Sequence, residues 1–278
     1  MAEVNLNKKQ LNIAFNKPYI NNEVNSNSKT EEPEEIRIAN FAEELKDRSN
    51  YDGIDICFVL DVTASMSPYI QGAKQSIYTI INDAKNSLEK LKAKEDSLKF
   101  AVVAYRDHVP QDNTFITKIC DFTSSDVAEK FLEGLEAQGG GDQAEAVMDG
   151  LNDGIFNVKW REKSEKFMFL VLDSPPHGKQ FGSYSDGFPE GCPCGDSEVK
   201  MLPVMRDMKI DLTVIKIDDA IDTMIRIFSQ YINIDVFQPK IFKQKHKMDL
   251  NTYTKEVSSG MGGGCSRKIN YNLNSYQK

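Results

Sequence analysis

Positive charge is in deficit in this chain. Its 278 residues hold 34 Lys and Arg against 42 Asp and Glu, a formal net charge of −8. That balance leaves no electrostatic footprint for nucleic-acid phosphates and disfavours anionic membrane surfaces. Long apolar runs are missing as well. No stretch approaches the roughly 20 residues that a membrane-spanning helix needs. The opening Met-Ala-Glu-Val-Asn-Leu-Asn-Lys-Lys-Gln has no apolar segment, so no secretory leader is expected. Cysteine is scarce, at five: Cys57, Cys120, Cys192, Cys194 and Cys265. Cys57 and Cys120 fall within strand patterns and are expected as reduced core thiols, which points to a reducing, cytoplasmic compartment. There are three histidines, His108, His177 and His246, none beside a Ser or Cys in a nucleophile's context. The run Gly139-Gly140-Gly141 is not followed by Gly-Lys-Ser/Thr, which excludes a P-loop, and it lacks the dinucleotide fingerprint's spacing after a strand.

The composition is that of a soluble globular protein, 40% hydrophobic and 27% charged. The chain is long enough for one large core or two small ones. Residues 1–48 are polar, and Asn21 to Glu35 reads as disordered, with a short helix expected over Glu34 to Lys46. Beyond Pro239 the chain turns basic, then Gly/Ser-rich and Asn-rich, and reads as a disordered tail over 239–278. One domain over 51–238 remains.

That domain is organised around Ile54 to Ser67. The unbroken apolar run from Ile56 to Leu60 predicts a strand covered on both faces, ending at Asp61. Ser67-Pro68 reads as the cap and first position of a helix whose apolar residues recur from Ile70 to Leu91. Leu98 to Arg106 is a second buried strand. Thr114 to Phe122 follows after a turn too short for a helical crossover, so it should pair antiparallel as an edge. Thr123-Ser124-Ser125 caps a helix, and another follows Gly139–Asp142. A third buried strand, Phe167 to Asp173, also ends on an aspartate. A long loop, Ser174 to Ser197, holds four of the ten prolines and five of the 17 glycines. Helices over about 198–208 and 220–231 and strands over 211–217 and 234–237 complete the pattern.

Strands alternating with helices predict an α/β, Rossmann-like doubly wound sheet, mostly parallel with one antiparallel edge strand and helices on both faces. Ligands of such sheets bind beyond the strands' carboxyl ends, where strand order reverses. Asp61, Thr63 and Ser65 stand at spacings of two, so one carboxylate and two hydroxyls can face one way. Hard oxygens of this kind suit Mg2+. The same topology brings Asp142, in the Gly-rich loop, and Asp173 towards that patch.

Three motifs carry a resemblance. Asp61-Val62-Thr63-Ala64-Ser65-Met66-Ser67, Gly139-Gly140-Gly141-Asp142-Gln143-Ala144-Glu145 and Leu172-Asp173-Ser174-Pro175-Pro176-His177-Gly178 together resemble the metal loops of a von Willebrand factor type A domain. With Tyr105-Arg106-Asp107-His108 they are most similar to the A domains attached to some alpha-type protein kinases of lower eukaryotes. The kinase domain itself is absent from these 278 residues. The resemblance implies a metal-ion-dependent adhesion site: Thr63 and Ser65 binding the metal directly, Asp61 beside them, Asp142 from the second loop and Asp173 from the third. Thr63 stands where serine is commoner. Asp142 replaces a neutral threonine, which should tighten metal binding but leave the ion less electrophilic. The implied cofactor is Mg2+, or Mn2+ or Ca2+. The implied partner is a protein offering an Asp or Glu, with no nucleic acid and no membrane insertion.

Blander readings stand beside these. Asp61 alone could cap the next helix. Tyr105-Arg106-Asp107-His108 superficially resembles a kinase catalytic loop, but no Asp-Phe-Gly or catalytic Asn accompanies it; it reads as a strand end with Arg106 paired to a carboxylate. Cys192-Pro193-Cys194 with His177 has zinc-binding residue types, yet lacks the usual ligand count and spacing and reads as an ordinary loop. The leading function is a non-enzymatic, metal-dependent binding module. A phosphotransferase of the dehalogenase type would want an Asp where Thr63 stands. A structural or regulatory subunit with a vestigial metal site is the other alternative.

Overall fold

The structure, a computed structural model, describes residues 53–90 and 95–237. The expected amino-terminal helix, the carboxy-terminal tail and Leu91 lie outside the described residues. Six strands form one sheet: β1 (Gly53–Asp61), β2 (Leu98–Tyr105), β3 (Thr117–Thr123), β4 (Ser164–Leu172), β5 (Ile210–Lys216) and β6 (Ile234–Phe237), in the order β3-β2-β1-β4-β5-β6. All neighbours are parallel except β2 and β3. The link between those two is too short to carry a helix back across the sheet, which forces the antiparallel edge.

Helices cover both faces, and this is why β1 reads as a continuous apolar run. Ile54, Ile56, Phe58 and Leu60 pack on one side against α1 (Ile70–Lys90) and α2 (Ser125–Glu133). Cys57 and Val59 face the other side, with α3 (Val147–Asn152), α4 (Glu198–Asp207) and α5 (Asp222–Phe228). Met201 and Met205 are buried there, with Met208 packed alongside. Phe58 and Phe169 stack at 5.5 Å across β1 and β4. Gly150 lets α3 lie close to the sheet, since a Cβ there would stand 2.6 Å from the Tyr105 ring.

One boundary differs from expectation. Helix α1 starts at Ile70 rather than at Ser67-Pro68. A 3-10 turn, Ala64–Met66, comes first, closed by Met66 N–H to Thr63 O at 3.1 Å and Ser67 N–H to Ala64 O at 3.0 Å. The Ser67 hydroxyl reaches Ala137 O at 3.4 Å instead of capping α1. Thr63 and Ser65 are thereby held at the rim by a turn before the helix begins.

The chain leaves β1 for β2 on one side and returns to β4 on the other, so strand order reverses between β1 and β4. Asp61 ends β1, and Asp173 directly follows β4. Among the described residues no helix is long and apolar enough to cross a membrane.

Candidate functional site

Three loops meet at the carboxyl ends of β1 and β4, joined by backbone hydrogen bonds. Ala64 N–H donates to Gly139 O and Gln138 N–H to Val62 O, each at 3.0 Å, zipping the first loop to the Gly-rich loop. Glu145 N–H donates to Pro175 O at 3.0 Å, tying the Gly-rich loop to the segment after β4. Ala146 N–H donates to Arg106 O at 3.0 Å and anchors the same loop to the end of β2.

On this frame side-chain contacts within hydrogen-bonding distance link four of the five expected residues. The Thr63 hydroxyl donates to Asp61 Oδ1 at 2.7 Å, and the Ser65 hydroxyl donates to Asp173 Oδ1 at 2.9 Å. The two hydroxyl oxygens stand 3.1 Å apart. Each hydroxyl has one proton, and with Asp61 and Asp173 ionised both protons are directed to carboxylates, leaving none for the 3.1 Å contact between the two oxygens. The lone pairs of the two oxygens therefore remain for another partner. Asp61 Oδ1 also accepts the Thr63 amide at 2.8 Å, and Tyr105 donates its hydroxyl to Asp61 Oδ2 at 3.4 Å. Asp61 and Thr63 are fully buried, and Asp173 is buried to 8% exposure.

Asp142 sits differently. Its Oδ2 accepts the Gly187 amide and, at 3.4 Å, Gln111 Nε2, so it faces the 174–197 loop. Its Oδ1 is buried without a hydrogen-bond partner among the described residues. Glu145, three residues on, is the carboxylate that faces Asp61 and Asp173 electrostatically, with Asp107 and Asp142 also acting on it. It is 2% exposed, and its Oε2 has no hydrogen-bond partner among the described residues. Burial and then those four acids push its carboxyl up to about 11. Burial, then Asp173, raises Asp61 as well. Asp142 and Asp173 are raised, mainly by burial.

In the sequence Glu145 stands only as the last residue of the Gly-rich motif, with no metal role assigned to it. No residue-type signal in the sequence marks it as a site acid.

The neighbouring turn also departs from expectation. Among the described residues Arg106 pairs with no carboxylate. Its guanidinium donates to the Thr114 hydroxyl at 2.8 Å and Glu136 O at 3.0 Å, and lies over the Phe115 ring at 4.4 Å. His177 stands between Asp107 and Asp186, with ring nitrogens 2.7 and 2.8 Å from their carboxylates. Burial opposes its charged form, but the two acids outweigh burial and raise its pKa.

Gly140, at φ +74°, lies against the acids; a Cβ there would be 2.7 Å from Glu145 Oε1 and 3.3 Å from the Thr63 Cβ. Gly140→Ala combines left-handed backbone strain with that clash. It should lower stability by about 1–3 kcal/mol, read by urea unfolding.

Residues 55–182 match the family model of the von Willebrand factor A domain. Over 221 residues the chain is 28% identical to the alpha-protein kinase vwkA of Dictyostelium discoideum, covering 75% of this chain and 31% of that protein. It is 26% identical over 132 residues to the putative ariadne-like RING finger protein R811 of Acanthamoeba polyphaga mimivirus, covering 45% and 11%. The chain thus spans less than a third of either relative. Among solved structures it resembles the pilus adhesin SpaC from Lactobacillus rhamnosus GG in its open conformation. The TM-score is 0.48 at 12% identity, covering 79% of this chain and 30% of that one. Proximal thread matrix protein 1 from the mussel byssus, with a zinc-occupied MIDAS motif, gives 0.45 at 14% identity, covering 83% and 52%.

Proposed function

We propose that this chain, which carries a von Willebrand factor A domain, binds a protein partner through a divalent cation held at the rim where β1 and β4 end. One observation carries the reading. The Thr63 and Ser65 oxygens stand 3.1 Å apart, each within hydrogen-bond distance of a carboxylate, Asp61 or Asp173. Two oxygens bound side by side in an octahedral Mg2+ shell stand about 3.0 Å apart. The unpartnered buried oxygens of Asp142 and Glu145 support it, because burying bare carboxylates is costly unless a cation compensates them.

In this reading the Thr63 and Ser65 hydroxyls ligate the ion directly. Asp61 and Asp173 accept the hydroxyl protons and so aim the lone pairs inward. Glu145 and Asp142 supply the second loop's negative charge, Asp142 from the side of the 174–197 loop. A bound Mg2+, Mn2+ or Ca2+ would offer an open position to an Asp or Glu of the partner. The chain's own acids repel that carboxylate unless the ion is present, which makes recognition conditional on metal.

Titration calorimetry on the full chain with Mg2+ and Mn2+ tests the site. We expect one binding event, weakened at least about 100-fold in Asp61→Asn, a loss of at least ~2.7 kcal/mol. Unchanged affinity in that variant would remove the reading. Partner capture from native cells that persists in EDTA would leave metal binding intact but refute bridging.

A further inference from the structure

Behind the rim lies a second cluster of metal-binding side chains, of a different chemical kind. His108 Nε2 is 3.0 Å from Asp149 Oδ2. Cys192 Sγ is 3.2 Å from the same oxygen and 3.6 Å from His108 Nε2. Cys194 completes the group, with one donor atom from each of the four residues within 4.8 Å of all the others. His108, Asp149 and Cys192 are 4%, 8% and 8% exposed, while Cys194 opens to solvent. Both cysteines are free thiols.

We propose that His108, Asp149, Cys192 and Cys194 bind one structural Zn2+ that fastens the 174–197 loop to the sheet. Donors held tetrahedrally around zinc stand about 3.3–3.8 Å apart, so the observed separations need only small adjustments to enclose an ion. Thiolate and imidazole donors select zinc over Mg2+ or Ca2+. Four protein ligands close the coordination shell, which makes the ion a fastening and not a reaction centre. Binding takes the two cysteines as thiolates and releases their protons to solvent. The sequence pairs Cys192-Pro193-Cys194 with His177, but His177 is spent between Asp107 and Asp186. His108, from the end of β2, and Asp149, from α3, take the places that the cysteines alone leave open.

The fastening has a consequence for the rim. The same loop supplies the Gly187 amide to Asp142, and Ser185 O accepts the amides of Gln143 at 3.1 Å and Ala144 at 3.2 Å. Zinc held by Cys192 and Cys194 would steady the stretch from Ser185 to Gly187 that bonds to Asp142, Gln143 and Ala144.

The test uses the full chain, purified without a metal-affinity step. Elemental analysis should find about one zinc per chain after dialysis in Mg2+ buffer. Cobalt substitution should give the near-ultraviolet charge-transfer band of cobalt–thiolate bonds, which the all-oxygen rim cannot produce. Cys194→Ser, at an exposed position, should keep the wild-type circular dichroism, lose band intensity and weaken zinc retention at least about tenfold. Asp61→Asn should retain the zinc. Three outcomes would overturn the proposal: no zinc and no thiolate band in the wild-type chain; a Cys192–Cys194 disulfide by thiol counting; or zinc lost in Asp61→Asn but kept in Cys194→Ser.

Discussion

Arg161→Ala should destabilise the domain by about 3–5 kcal/mol in urea unfolding while leaving cation affinity at the rim unchanged. Asp55, in β1, is fully buried at the end of the sheet opposite the rim. Arg161 answers it with its Nε on Oδ1 and its backbone N–H on Oδ2, each at 2.8 Å, and with Nη2 2.6 Å from Oδ1. Nη2 also donates to Ile54 O at 3.0 Å. The alanine variant keeps the backbone bond and the Ser164 hydroxyl, which reaches Asp55 Oδ2 at 2.7 Å. It still leaves a carboxylate without its counter-charge in the core, and that uncompensated burial is the main cost. Asp55→Asn on the Arg161→Ala background should recover part of the loss, because a neutral amide needs no counter-ion. A cost below about 1 kcal/mol in the single variant would mean that water reaches Asp55 and that the pair is a surface one.

The strands at the centre of the sheet were legible because helices cover both faces, and burial on both faces writes a run such as Ile56 to Leu60 into the sequence. The antiparallel edge was legible from one short link. The start of α1 was not. Ser67-Pro68 has the right residues for a helix start, but the 3-10 turn Ala64–Met66 closes with backbone bonds that leave no mark in residue type. The candidate site divides in the same way. Thr63, Ser65 and Asp173 join through bonds foreseeable from strand ends and spacing. Asp142 turns towards Gly187, because the loop fold that aims it depends on the 174–197 segment, which has no periodicity to read. Glu145 and Asp149 were hidden by looking like ordinary acids at the start of a helix. His108 was hidden because its partners lie 41 and more residues away in sequence.

Glu145→Gln should flatten the pH dependence of stability measured without divalent cations. The Glu145 carboxyl is pushed from 4.5 up to about 11, first by burial and then by Asp61, Asp107, Asp142 and Asp173. Between those values the folded chain holds a proton that the unfolded chain has released. Stability from this group is therefore fully present below 4.5 and is lost as pH rises towards 11, by up to about 1.4 kcal/mol per pH unit. Glutamine keeps the shape of the neutral acid and has no proton to lose. In EDTA, between about pH 5 and pH 8, the wild-type chain should lose stability more steeply than the variant, by up to ~4 kcal/mol over the range. His177, whose pKa is also raised, adds a slope of the same sign near neutrality, but it is present in both proteins and cancels in the difference. Saturating Mg2+ should flatten the wild-type profile, because a cation favours the ionised carboxylates that burial otherwise disfavours. It should stabilise the variant less, since one of the facing charges is gone. Parallel profiles for the two proteins in EDTA would show that Glu145 is already solvated or paired. The Glu145 charge would then drop out of the physical case for a cation, which would rest on Thr63, Ser65 and the buried Asp61 and Asp173.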